Sequence, residues 1–167
     1  HTLRWALRHY MRAGKIKLCI DKAGHVFNAP GKESIDALPW LLHSLYTSRY
    51  ALNDAERYFL NQQIAKYVAK FLDETGDIKK DVKFAEMRDA VFYHRSAYAV
   101  ALVGRLAICA EELRLAFPFT LTRYQEILRK EYWTGDYFRA DRTSQTYSSD
   151  GALIPFFLEV INDRDMV

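Results

Sequence analysis

The segment Ser34-Ile35-Asp36-Ala37-Leu38-Pro39-Trp40 holds the residue types in this 167-residue chain best suited to chemistry. Asn28-Ala29-Pro30-Gly31-Lys32-Glu33 precedes it, so a Pro/Gly loop delivers a carboxylate and an indole to the start of an apolar helix. Such a pair suits a saccharide. An indole face packs on the C–H face of a pyranose, while a carboxyl group accepts hydroxyl protons or gives one to a glycosidic oxygen. Similar acidic junctions stand at Glu86 and Asp89 and again at Asp150. Each of these residues also has a plainer use. Asp36 and Asp150 stand where helix caps stand, Glu86 and Asp89 can pair with Arg88 or Arg95, and Trp40 and Trp133 can be core.

Composition narrows the partners. Half of the residues are apolar, enough to bury the core of one domain. Lys and Arg number 24 against 21 Asp and Glu, and no block of like charges occurs, so neither nucleic acid nor a membrane is an expected partner. Cys19 and Cys109 are too few for a disulfide framework and lack metal-ligand spacing, which fits a reducing compartment and a cytoplasmic location. No Gly-x-Gly-x-x-Gly, His-Glu-x-x-His or Cys-x-x-Cys occurs, so no cofactor and no metal is expected. The chain starts at His1 and stops at Val167 just after a helix-like run, which points to a fragment of a longer chain.

The elements that must position these residues read as helices. Leu3, Leu7, Tyr10 and Met11 share a face up to Gly14, a C-cap signal. The span 15–32 reads as a short hairpin or irregular loop around Gly24. A helix follows over 36–46, and Pro39 must sit in its first turn, where backbone N–H groups lack helical partners anyway. Asn53-Asp54-Ala55-Glu56 resembles a capping box, with Leu60, Ile64, Tyr67, Val68 and Phe71 as the stripe behind it. After an aperiodic loop over 73–95, the run 96–115 is apolar on nearly every side and must be buried all round. A one-sided helix over 120–131, a turn over 133–138, a polar run over 141–149 and an apolar helix over 151–161 complete the chain.

Amphipathic and buried helices therefore alternate as three outer–inner pairs. If they run up and down, the inner helices all begin at one edge, which gathers Asp36, Glu86, Asp89, Asp136, Asp141 and Asp150 there. The positive ends of three helix dipoles would point to the same place.

Helical hairpins whose inner helices begin in acidic, aromatic loops resemble the six-hairpin, (α/α)6-barrel glycosidases. The segment Ser34 to Trp40 resembles the Asp-Ala-x-x-Trp-type segment of the amylo-α-1,6-glucosidase domain of glycogen debranching enzymes. Phe84-Ala85-Glu86-Met87-Arg88-Asp89-Ala90, with His94-Arg95 and the buried helix after it, resembles that family's Thr-Trp-Met-Asp-Ala stretch at Met87, Asp89 and Ala90. Arg88 between methionine and aspartate, the added Glu86, and Pro39 beside Trp40 are departures. Glu86 instead matches the glucoamylase-like relatives, where a Trp-Glu-Glu-like loop carries the acid.

The resemblance implies an all-α chain forming about half of an (α/α)6 barrel, with residues 1–167 as part of one catalytic domain. It implies a glycoside hydrolase acting on α-glucosidic linkages of oligosaccharide or polysaccharide by general acid–base catalysis. Asp36 would be the proton donor, and Glu86 and Asp89 would share that role or bind hydroxyls. Trp40 and Trp133 would stack on a sugar, with Arg88, His94, Arg95 and Asp150 completing the substrate site. The catalytic base would lie in later helices, since an inverting pair stands roughly 6.5–9.5 Å apart across a water. Two other readings stay open: a non-catalytic helical scaffold or glycan-binding module, and a sugar epimerase on the same barrel, which would need cavity-facing histidines where only His25 and His94 sit in candidate loops.

Overall fold

The computed structural model describes residues 2–28, 34–85, 92–145 and 149–162. Helices dominate them. In chain order these are α1 (Thr2–Ala13), α2 (Ala37–Thr47), α3 (Asp54–Phe71), α4 (Ala97–Glu112), α5 (Leu121–Ile127) and α6 (Ser149–Phe157). Two small antiparallel hairpins join them, β1 (Cys19–Ile20) with β2 (Val26–Phe27) and β3 (Lys83–Ala85) with β4 (Phe92–His94).

Helix α1 buries Leu7 and Tyr10 and stops at Gly14, whose φ of +64° lets the Gly14 and Lys15 N–H groups donate back to Met11 and Tyr10 carbonyls. The β1–β2 hairpin is thus the hairpin alternative for 15–32. It presses against α1 so closely that a Cβ on Gly24 would stand 2.1 Å from the His9 ring. Helix α3 starts with the reciprocal capping box: Glu56 N–H donates to Asn53 Oδ1 and Asn53 N–H to Glu56 Oε2, both at 2.9 Å.

Helix α4 is the centre of the fold. Thirteen of its sixteen residues are buried, and it packs against α2, α5 and α6. Its Gly104 is one reason these helices come so close. A Cβ there would meet Val160 at 2.8 Å and the Tyr124 Cβ at 3.2 Å, so alanine would overfill the contact.

Three sequence-based boundaries need correction. The 73–95 loop contains the β3–β4 pairing, which aperiodic sequence could not reveal because its strands are only three residues long. The expected 120–131 helix keeps α geometry only to Ile127 and closes with a π-helical turn over Leu128–Tyr132. The expected 151–161 helix ends at Phe157, where Glu159 takes φ +59° and the Val160 and Ile161 N–H groups both return to the Pro155 carbonyl.

Candidate functional site

The N-terminus of α2 assembles the candidate site. Asp36 takes the N-cap position, half-buried, yet its carboxylate makes no capping bond. Ser34 does that work instead: its Oγ accepts the Ala37 N–H at 2.9 Å and donates to Asp36 Oδ1 at 2.5 Å. One hydroxyl therefore caps the helix and holds the carboxylate. Among the described residues, Asp36 Oδ2 takes no hydrogen bond.

One turn on, the Trp40 N–H donates to the Asp36 carbonyl at 3.0 Å. The half-buried Trp40 indole gives its Nε1–H to the Tyr98 hydroxyl at 3.2 Å. Tyr98 lies at the start of α4 and is fully buried, so this bond ties the first turns of α2 and α4 together. From α3, Tyr67 donates to the Ile35 carbonyl at 2.9 Å. Burial, and then the neighbouring Tyr124, Asp36 and Tyr98, hold the Tyr67 phenol well above its ordinary pKa, so it remains a donor. Asp36, Trp40, Tyr67 and Tyr98 thus form one neighbourhood, of which the sequence had singled out Asp36 and Trp40.

The other expected site residues are placed as follows. Glu86, Arg88 and Asp89 lie outside the described residues, and so does the side chain of Asp150, whose backbone sits in the first turn of α6. His94 ends β4 and is exposed. Arg95, at φ +54°, turns its guanidinium to Asp73 and Asp77, 3.7 Å from each. Trp133 is half-buried and packs on Phe138, their ring centroids 5.0 Å apart. Asp136 is exposed in the same turn, and Asp141 accepts from the Thr143 and Ser144 N–H groups as a turn-forming aspartate.

A polar knot that the sequence did not signal lies beside Arg95. Asp77 is almost fully buried, and its Oδ2 receives Arg142 at 2.6 Å. Tyr132 donates its hydroxyl to the Arg95 carbonyl, and Arg142 lies over the Tyr132 ring. Among the described residues, the Nε–H groups of Arg95 and Arg142, and that of Arg139 from the adjoining segment, are buried without an acceptor. Asp73 Oδ1 accepts from the Thr75 N–H, the Thr75 hydroxyl and the Asp77 N–H. Burial opposes the Asp73 charge, but these bonds and Arg95 prevail and hold its carboxyl below the ordinary value.

A depressed carboxyl stabilises the fold above the unfolded-state pKa and loses that contribution as pH falls through the lower folded value. Asp73→Asn is therefore expected to cost about 1–2 kcal/mol at neutral pH. In urea unfolding, the difference from wild type should shrink once the pH drops below about 4. A gap that persists at acid pH would assign the loss to packing instead.

Beside α2, a cleft of about 240 Å³ is lined by Ser34, Ala37 and Leu38 together with residues of α3 and of the segment after α1. Asp36 is not among its lining residues. Among the described residues, no group of His, Cys, Asp and Glu could hold a metal ion, and no helix is long and apolar enough to cross a membrane.

What fold and site define together is a helix-rich chain with a carboxylate and an indole at one helix start. Compared with known proteins, the chain matches no family model, no curated protein and no solved structure.

Proposed function

We propose that this chain is part of a glycoside hydrolase of the (α/α)6 type, acting on α-glucosidic linkages of an oligosaccharide or polysaccharide. The observation that carries the reading is the Asp36 carboxyl group at the start of α2, held on one oxygen by Ser34 and within one turn of the Trp40 indole. In this reading α2, α4 and α6 are inner helices of the barrel, a role supported by the packing of α4 on both of the others.

The chemistry follows from the atoms. Asp36 Oδ2 donates a proton to the glycosidic oxygen while the Ser34 hydroxyl keeps Oδ1 in place, and the departing sugar leaves as a neutral alcohol. The exposed part of Trp40 offers a face for a pyranose, and its tie to Tyr98 fixes that face against the α4 start. Glu86, Arg88, Asp89, His94, Trp133 and Asp150 complete the sugar site in this proposal, and the base that activates water comes from helices beyond α6.

The described carboxylates away from α2 favour a second reading. Asp73, Asp77 and Asp141 are all engaged by turns or by arginines, which removes these three as catalytic partners of Asp36. A glycan-binding module that holds sugar without cleaving it needs no such partner.

Glucose release from maltose and isomaltose by the protein carrying this chain separates the two readings. Release from either sugar supports the hydrolase. Binding of both without release supports the module, and neither binding nor release by the folded protein removes the saccharide proposal altogether.

A further inference from the structure

We propose that the buried Arg105 guanidinium presents His43 and Glu159 to solvent as a matched donor and acceptor beside the Phe157 ring, and that this surface binds a second pyranose of an oligosaccharide. The inference rests on the saccharide reading of Trp40 and extends it to the length of the substrate.

Arg105 fixes both polar groups from beneath. It is buried in α4, and its Nε–H donates to His43 Nδ1 at 3.0 Å while Nη1 donates to Glu159 Oε2 at 2.8 Å. A guanidinium can only donate, so His43 Nδ1 must accept, and the neutral imidazole carries its proton on Nε2. Burial, and then the charge of Arg105, hold His43 below its ordinary pKa, which keeps it in that neutral form at neutral pH. Among the described residues, Nε2–H has no acceptor and is not one of the buried atoms, so it meets solvent as a donor of fixed sense. Glu159 takes the complementary part. Its side chain is 64% exposed although Oε2 is anchored, and Oε1 accepts no hydrogen bond from the described residues. The same Nη1 also donates to the Leu158 carbonyl, so backbone and side chain of this segment are pinned together.

A row of rings leads from Asp36 to this pair. The Trp40 indole and the His43 imidazole follow each other on α2, edge to face with centroids 5.4 Å apart, and the Phe157 ring of α6 lies 6.5 Å beyond His43. Phe157 is 65% exposed, so its apolar face is open to a ligand. A pyranose has one C–H face and a rim of hydroxyls that both donate and accept. The Phe157 ring takes the face, and two neighbouring hydroxyls take the donor and the acceptor. A lipid chain would leave both polar groups unpaired, and a polyanion would meet the Glu159 charge. Trp40 holds one sugar ring and Phe157 another, so a longer chain engages both where maltose engages the first.

Calorimetric titration with maltose and maltotetraose, on the protein carrying this chain, tests this. Parent and variants all carry Asp36→Asn, so that no sugar is cleaved during the measurement. The parent is expected to bind maltotetraose roughly tenfold tighter than maltose. Phe157→Ala and Glu159→Gln should each remove most of that advantage and leave maltose within about twofold, as loss of one well-placed contact predicts. Glutamine keeps an oxygen for Arg105 but turns the open acceptor into a donor. Tyr58→Ala removes a similarly exposed ring from α3 and should change the affinity for neither sugar. Equal affinity of the parent for the two sugars overturns the proposal, as does no binding of either up to about 10 mM. It is overturned equally by an advantage that survives either substitution, by a loss that maltose shares in full, or by the same loss in Tyr58→Ala. Glucose release by the protein without Asp36→Asn judges the cleavage reading separately. A protein that cleaves but binds both lengths alike keeps the hydrolase and loses this subsite, and a length-dependent binder that releases no glucose does the reverse.

Discussion

In the hydrolase proposed above, Asp36→Asn is expected to lower α-glucoside hydrolysis by about 10²–10⁴-fold, the usual contribution of a positioned general acid. Asparagine has the same shape and can still accept the Ser34 hydroxyl, but it carries no proton that a glycosidic oxygen could take. The fold should survive, because the cap of α2 comes from Ser34 and not from Asp36. Thermal midpoints should therefore stay close to wild type while initial rates collapse. An aryl glucoside with a good leaving group needs little protonation, so its hydrolysis should fall far less than that of maltose. Near wild-type turnover of maltose by the variant would remove Asp36 from the role. Equal losses on both substrates would point to misplacement of sugar instead.

Arg105→Ala is expected to cost about 2–3 kcal/mol, the scale of orphaned buried hydrogen-bond partners and an unfilled void, because the 64% exposed Glu159 side chain stays solvated without its partner. Arg105 is 3% exposed in the middle of α4. Its Nε donates to His43 Nδ1 at 3.0 Å, and Nη1 donates to the Leu158 carbonyl at 3.1 Å and to Glu159 at 2.8 Å. Truncation orphans the carbonyl and the imidazole nitrogen and opens a void among α2, α4 and the segment after α6. Lysine should not restore the loss, since one ammonium cannot reproduce the guanidinium fork. Urea unfolding measures the effect, and a shift below about 0.5 kcal/mol would show that the cluster is incidental.

The same cluster has a pH signature. Burial, and then the charge of Arg105, hold His43 below its ordinary pKa, while Glu159 opposes them. That stabilisation of the neutral imidazole is present above the unfolded histidine value, about 6.5, and is lost as pH falls through the lower folded value. In Arg105→Ala, the loss of stability over this range should be shallower than in wild type.

Arg105 also shows where reading the sequence stops. The apolar run 96–115 declares a buried helix on its own, but the partners of Arg105 stand 62 residues before it and 54 after it, and no local pattern announces them. The capping box at Asn53, the stop at Gly14 and the first-turn place of Pro39 depend on neighbours a few residues away, and each was legible. At Asp36 local reasoning gave the correct place in the helix and the wrong capping residue. A serine two positions earlier competes for the same N–H, and only the backbone path decides between them. In the Asp73–Asp77 knot the turn itself is local, but Arg95 and Arg142 reach it from distant segments, so spacing carried no trace of that pairing.

The burial of α4 on nearly every side also determines how the molecule comes apart. Water cannot reach that helix one face at a time, so α4 can leave only when its shell of α2, α5 and α6 loosens together. Partial opening is left to the periphery, above all to α1 and the β1–β2 hairpin packed on it, while the middle of the chain melts as one cooperative block.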